Sequence, residues 1–276
     1  MSDAAAPTID LLHGSSIPAL GFGTWPLDDD EAATAVEQAV NAGYRLFDTA
    51  ENYGNEAGVG EGIRRSGIDR GDVFLTTKFN KKWHSSDGAR QAFENSSRLL
   101  GVDYIDLLLI HWPNPGQDRF VDAFKGLTSL LEDGSLRAIG TSNFKPHHLQ
   151  RLLDEGMVPD VNQIQLDPRH TRPDLRDFHA HHGIVTESWS PLGGSELLQH
   201  ATVDALADKY GMTPAQIVLR WHLQQGLVAI PKSANPLRIK QNINVFGFEL
   251  APEEMESLSA LDTGDGDISD SDKSGH

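Results

Sequence analysis

Val73-Phe-Leu-Thr-Thr-Lys78, the stretch from Gly88 to Leu100, and Ile105-Asp-Leu-Leu-Leu-Ile-His111 follow one another along the chain. The first and third are short and almost continuously apolar until each ends in a cation-forming side chain. Such runs are too short for helices and are not alternating, so they read as strands covered on both faces. The middle stretch has apolar residues near i, i+3 and i+4, the stripe of a helix that packs on a sheet. Strand, helix and strand in this order make a parallel βαβ unit, because two parallel strands need a crossover between them.

The same alternation extends in both directions. Strands are expected at Leu20–Thr24, Leu46–Asp48, Val73–Lys78, Ile105–His111, Arg137–Thr141, Val161–Gln165, Ile184–Ser188 and Val228–Ile230. Between them helices are expected at Glu31–Ala42, Gly88–Leu100, Phe120–Glu132, His147–Asp154 and Pro214–Gln225. Asp29 serves as a cap for the first, and Thr213 with Pro214 supplies an N-cap hydroxyl and a first-turn proline. Eight units with short connections fit one (β/α)8 barrel, for which about 250 residues is typical. A doubly wound open sheet shares the alternation, but no glycine-rich nucleotide turn follows the first strand: Gly21-Phe-Gly23 lacks the third glycine. Thr8–Leu12 and His13–Ile17 read as an N-terminal β-hairpin closing one end, and Pro252–Leu261 as an extra C-terminal helix. The whole chain, residues 1–276, is thus expected to be one α/β domain, with 1–7 and 263–276 as flexible tails, the latter loose or hugging the surface.

Composition excludes several functions. The chain carries 40 acidic against 23 basic residues, a formal charge of −17, which repels nucleic acid and anionic lipid. No apolar stretch approaches the roughly 20 residues of a membrane span. There is no cysteine, so thiolate chemistry and disulfides are excluded. Met1–Pro7 has neither a basic nor an apolar leader segment, so a cytoplasmic protein is expected. His179-Ala-His-His182 has no acidic or cysteine partner at a metal-site spacing, and no metal is expected.

Barrel chemistry sits at the C-terminal ends of the strands. Asp48, Lys78 and His111 end the second, third and fourth strands, and Tyr53 lies in the loop after Asp48. Singly, these read equally well as a cap, a surface lysine, a core histidine and a packed aromatic. Together they make an acid–base group. An ammonium beside a phenol favours the phenolate and lowers its pKa, a carboxylate keeps a buried lysine charged, and a histidine can orient a carbonyl and share the proton path.

The segments Phe47-Asp-Thr-Ala-Glu-Asn-Tyr-Gly-Asn-Glu56, Thr76-Thr-Lys-Phe79 and Leu108-Leu-Ile-His-Trp-Pro113 resemble the motifs of the aldo-keto reductases. So do Gly140-Thr-Ser-Asn143, Val161-Asn-Gln163, Glu187-Ser-Trp-Ser-Pro-Leu-Gly193 and Ile230–Ile239, in the order that family has them. The resemblance implies reduction of small aldehydes and ketones by hydride from NADPH, with Asp48, Tyr53, Lys78 and His111 catalytic and Tyr53 as general acid. It implies that Thr24, Trp25 and Asp48 touch the cofactor. Ser142, Asn143 and Gln163 would bind the nicotinamide carboxamide, and Trp189 would stack on the ring. Ser190, Leu192 and Gly193 would follow the pyrophosphate. Lys232, Ser233 and Arg238 would grip the 2′-phosphate, with Gln241 and Asn242 near the adenine. Phe22, Trp25, Asn80, His111 and Trp112 would line the substrate mouth.

Two departures stand out: Gln241 replaces a usual acidic residue, and Asn80 replaces a usual tryptophan, for which Trp83 is the nearby substitute. Within the family the resemblance runs nearest to bacterial 2,5-diketo-D-gluconate reductases, through Thr213-Pro-Ala-Gln216, Arg220-Trp-His-Leu-Gln224 and the short tail, which implies a sugar acid or small dicarbonyl as substrate. The partner is then a small carbonyl compound, and a monomer without an obligate protein partner is expected. Two alternatives stay open: a barrel aldolase with Lys78 as the Schiff-base amine, and an NADPH-binding regulatory module with little turnover.

Overall fold

The computed structural model describes residues 6–266 and 268–275. Strands β1 (Thr8–Asp10) and β2 (Ser16–Pro18) form the antiparallel hairpin. Eight parallel strands follow: β3 (Phe22–Gly23), β4 (Leu46–Asp48), β5 (Phe74–Phe79), β6 (Ile105–Ile110), β7 (Leu136–Ser142), β8 (Val161–Gln165), β9 (Val185–Trp189) and β10 (Val228–Ala229). Each pairs with the next in chain order. The sheet closes between its first and last strands: Gly21 N donates to Ala229 O at 2.8 Å, Ala229 N to Ala19 O at 3.0 Å, and Gly23 N to Pro231 O at 3.1 Å. Gly23 is needed there, since a Cβ on it would lie 2.9 Å from Ile230 O. The glycines that fail as a dinucleotide fingerprint therefore close the barrel.

The period of two along each strand divides the core. Leu46, Phe74, Leu107, Leu109, Ala138, Val161, Val228 and Ile230 form an inner cluster, plugged by Leu11 and Ile17 from the hairpin. Phe22, Phe47, Phe79, Leu108, Ile110 and Ile139 belong to the outer cluster beneath the helices. Continuing the inner face toward the C-terminal strand ends, Leu46 leads to Asp48, Phe74 to Thr76 and Lys78, Leu109 to His111, Val161 to Gln163, and Val185 to Glu187 and Trp189. The bottom of the barrel is thus oil and its top is polar.

The five expected helices are present, with Asp29–Ala42 beginning earlier than expected. Its N-cap is Asp28 rather than Asp29: Asp28 Oδ1 accepts from Glu31 N at 2.9 Å. Asp29 instead accepts from Gly58 N at 2.6 Å and ties down the next helix, Glu56–Ser66. In the sequence Gly58, Gly60 and Gly62 of that helix mark helix packing or a turn. They are there for contact, as a Cβ on Gly58 would meet Asp29 O at 2.1 Å and one on Gly60 would meet Leu100 O at 2.1 Å. The C-terminal helix covers Pro252–Ser259, shorter than Pro252–Leu261. Among the described residues no helix is long and apolar enough to cross a membrane.

Residues 1–5, Asp267 and His276 of the expected tails lie outside the described residues. The described part of the C-terminal tail is laid against the barrel. Lys145 Nζ contacts Asp270 Oδ1 at 2.5 Å and Asp272 Oδ2 at 2.6 Å, and Asp272 Oδ1 lies 2.9 Å from His147 Nε2 and 3.0 Å from His148 Nε2. Ser271 is buried, and the backbone at Gly275 rests on Trp112. Charge explains this docking: the acidic run meets a basic site in an otherwise acidic molecule.

Candidate active site

Lys78 and Asp48 stand on adjacent strands, where Asp48 is level with Thr76 and Lys78 lies two residues higher on the same face. Lys78 Nζ donates to Asp48 Oδ1 at 2.6 Å, to Thr49 O at 2.9 Å and to Tyr53 Oη at 3.3 Å. All three ammonium protons are engaged. Tyr53 reaches this point from the turn Glu51–Tyr53, and its ring is wedged between Trp25 at 5.2 Å and His111 at 5.9 Å between centroids. The four residues of the expected acid–base group are therefore together.

Burial pulls the Lys78 pKa down, but Asp48 and Tyr53 outweigh it and hold the ammonium above its ordinary value. Such an amine is no nucleophile, which removes the Schiff-base reading. Burial also raises the Asp48 pKa, with Lys78 opposing. For Tyr53 burial is again the larger influence and raises the phenol, while Lys78 pulls it down. The expected lowering by the ammonium is thus present as a contribution but not as the net result.

A cavity of about 710 Å³ opens over this group. Its wall includes Thr24, Trp25, Asp48, Tyr53, His111, Trp112, Ser142, Asn143, Gln163, Trp189, Ser190, Leu192, Gly193 and Lys232, together with Asn52 and Ile230, which the sequence reading had passed over. Phe22 is not on this wall. Period two turns it outward, where it packs on Tyr44 and Phe47. Asn80 is also absent from the wall, because its side chain caps the turn Lys81–Trp83 and donates to Asn52 Oδ1 at 2.7 Å. Trp83 is held away by Glu51, its Nε1 donating to Oε1 at 3.0 Å. Ser233, Arg238, Gln241 and Asn242 lie beyond the cavity, on the segment that continues from Lys232.

One side of the cavity is a fixed polar bracket. Asn143 Nδ2 donates to His111 O at 3.1 Å and to Ser142 Oγ at 3.1 Å, and Asn143 Oδ1 accepts from Trp189 Nε1 at 3.0 Å. This last bond sets the plane of the indole. Ser142 Oγ donates to Gln163 O at 3.0 Å, and Gln163 Nε2 donates to Asp48 Oδ2 at 2.8 Å. Asn143 has φ 64° and Ser190 φ 49°, the left-handed region that non-glycine residues enter at a cost. Such conformations persist where surrounding structure imposes them, and they cluster at ligand sites. The loop after β3 is held by Asn55, unremarked in the sequence: its Nδ2 donates to Thr24 O at 3.2 Å and Leu27 O at 2.8 Å, and its Oδ1 accepts from Thr49 at 2.7 Å.

At the far end, Lys232 and Arg238 are exposed and make no ion pair among the described residues. Arg238 sits in the first turn of the helix Pro236–Ile243, capped by Asn235, whose Oδ1 accepts from Leu237 N at 2.9 Å and Arg238 N at 3.2 Å. Uncommitted cations beside a helix start, in a chain of charge −17, suit a phosphate. The metal reading of His179 fails on geometry, since both of its ring nitrogens are engaged, by Asn162 at 2.9 Å and Thr186 at 2.8 Å.

Comparison with known proteins agrees with this geometry. The "Aldo-keto reductase" of Mycobacterium sp. (strain KMS) is 49% identical over 260 residues, covering 94% of each chain. The "Methylglyoxal reductase DkgA" of Escherichia coli (strain K12) is 46% identical over 264 residues, 94% of this chain and 95% of its own. A solved structure of a Gox0644 variant in complex with NADPH superposes with a TM-score of 0.93 at 43% identity, covering 97% of this chain and 98% of that one. Residues 19–263 match the Aldo/keto reductase family, and the chain belongs to it.

Proposed function

We propose that this protein reduces small aldehydes and ketones, with dicarbonyls such as methylglyoxal or keto sugar acids as its preferred class, using NADPH. The observation that carries the reading is the buried Lys78, bonded at once to Asp48 and Tyr53 beneath a cavity that has a polar bracket of Ser142, Asn143 and Gln163 on one side and the exposed Lys232 on its wall. The residues fit the cofactor. Lys232, Ser233 and Arg238 would hold the 2′-phosphate, Ser190, Leu192 and Gly193 the pyrophosphate, and Ser142, Asn143 and Gln163 the carboxamide. Trp189 would lie along the ring, while Gln241 and Asn242 would approach the adenine. Bound NADPH supplies the hydride.

The chain's own residues do the rest. Tyr53 and His111 hydrogen-bond the carbonyl oxygen and fix it above the floor, which polarises the carbon. Tyr53 then gives its proton to the oxygen that becomes the alcohol, and Lys78 stabilises the phenolate left behind. Asp48 keeps Lys78 charged through that change. Trp25 and Trp112 line the cavity beside Tyr53 and His111 and give the substrate an aromatic surface to pack on. The name of the Escherichia coli relative, with Trp25 and Trp112 on the cavity wall, supports a small dicarbonyl. We propose further that the chain acts as one barrel domain, as a monomer and in the cytoplasm. The test is a carbonyl panel followed by loss of NADPH absorbance. Turnover on methylglyoxal or a keto sugar acid supports the reading, whereas NADPH binding without turnover on any carbonyl would favour a regulatory module.

A further inference from the structure

Glu187 stands two residues before Trp189 on β9, level with Gln163 on β8, and is fully buried on the inner face. Gln163 Nε2 donates both to Asp48 Oδ2 at 2.8 Å and to Glu187 Oε2 at 2.9 Å. An amide nitrogen has two protons, and both are thereby directed at carboxyl groups. The remaining polar atom of this side chain is its carbonyl oxygen, in a residue that lines the cavity. A reversed amide would set that carbonyl against the Asp48 oxygen, acceptor facing acceptor.

The same three residues pose a charge problem. Two carboxyl groups share an interior with a single ammonium, and Lys78 bonds Asp48. A second buried carboxylate without its own cation is costly, and the neutral acid costs less. We propose that Glu187 is a positioning residue of the reductase: as the neutral acid it joins Asp48 in holding the Gln163 carbonyl toward the nicotinamide carboxamide, and it leaves Lys78 matched to Asp48 alone. This rests on the nicotinamide placement proposed above.

Burial, and then the charge of Asp48, push the Glu187 pKa up to about 8. The titratable or charged groups facing it are Asp48 from β4 and Lys78 from β5, with Tyr53 within electrostatic reach. Below that pH Glu187 is neutral. Above it the new negative charge raises the pKa values of Tyr53 and Lys78, so the phenol becomes a weaker acid and reduction slows. The dependence therefore has an alkaline limb set by Glu187.

The test compares Glu187→Gln, Glu187→Ala and Gln163→Ala with wild type, as full chains. NADPH is titrated by quenching of tryptophan fluorescence, and kcat for carbonyl reduction is followed against pH. Loss of a buried hydrogen-bond partner should weaken NADPH about tenfold in Glu187→Ala, and Glu187→Gln should restore affinity to within about threefold. In Glu187→Gln the alkaline limb should move up by at least about one pH unit, because the group that titrates is gone. An unmoved limb in Glu187→Gln, or wild-type NADPH affinity in a folded Glu187→Ala, overturns the proposal. If Glu187→Ala does not fold, the limb in Glu187→Gln decides. If Gln163→Ala also binds NADPH like wild type, the nicotinamide placement itself has failed. If Gln163→Ala weakens binding and Glu187→Ala does not, only the role of Glu187 has.

Discussion

Replacing Lys78 with Met keeps an unbranched side chain one atom shorter and removes the charge at the centre of the site. Lys78 is fully buried and donates three hydrogen bonds, the shortest of them 2.6 Å to Asp48. Its removal leaves Asp48 buried beside Glu187 without a cation, and breaking a buried pair in this way typically costs about 3–5 kcal/mol. That is a large share of a total stability of about 5–15 kcal/mol, so the variant should fold but unfold at lower urea. The loss should depend on pH. Burial and Lys78 act in opposite directions on Asp48, so without Lys78 its folded pKa rises further. The unfolded chain releases the Asp48 proton near the ordinary value of about 3.9, the folded variant only at higher pH. Between those values the unfolded state holds fewer protons, and stability falls as pH rises. Urea denaturation at pH 5 and pH 8 should therefore show the greater destabilisation at pH 8. Turnover should drop by about 10²–10⁴-fold, since the phenolate loses its counter-charge. A variant that is within about 1 kcal/mol of wild type at both pH values, or that keeps activity within about tenfold, would refute the claim that this ion pair organises the site.

Arg238→Ala should weaken NADPH by about one to two decades, the value of a charge-assisted contact of about 1.5–3 kcal/mol, and leave NADH almost unchanged. Equal weakening of both cofactors in a fluorescence titration would assign Arg238 to the fold or to the common part of the nucleotide. Gly58→Ala should destabilise by about 1–3 kcal/mol, because its Cβ would lie 2.1 Å from Asp29 O and the two helices would have to separate. Thermal unfolding reads this directly, and a variant as stable as wild type would show that the interface yields freely.

The strands are legible because short stretches rich in apolar residues alternate with amphipathic helical ones, and Leu46–Asp48 and Val161–Gln165 match the expected bounds. Local pattern also located Asp48, Lys78 and His111, since a polar residue at the end of a buried strand is conspicuous. What the pattern hid depends on distance in space. Glu56–Ser66 carries three glycines whose purpose is contact with other helices, so its own stretch argues against it. The resemblance implies Phe22 as pocket lining, but alternation on a two-residue strand sends it outward. Asn55 and Glu187 were quoted within motifs without a role, because their work is to hold Thr24 and Gln163, which come from other strands. The acidic tail has little apolar surface to bury, and ion pairs to Lys145, His147 and Arg172 give its described part a place to lie.

The central claim is that Tyr53 delivers the proton while the cofactor is bound elsewhere in the cavity. The direct measurement is Tyr53→Phe, assayed in parallel for NADPH affinity by fluorescence and for NADPH consumption with methylglyoxal. Affinity should stay within about threefold of wild type and the rate should fall by at least about 10²-fold, because the phenol's proton is used only in the reaction. Retained turnover would take the general acid away from Tyr53, and a parallel collapse of affinity would make it a cofactor ligand.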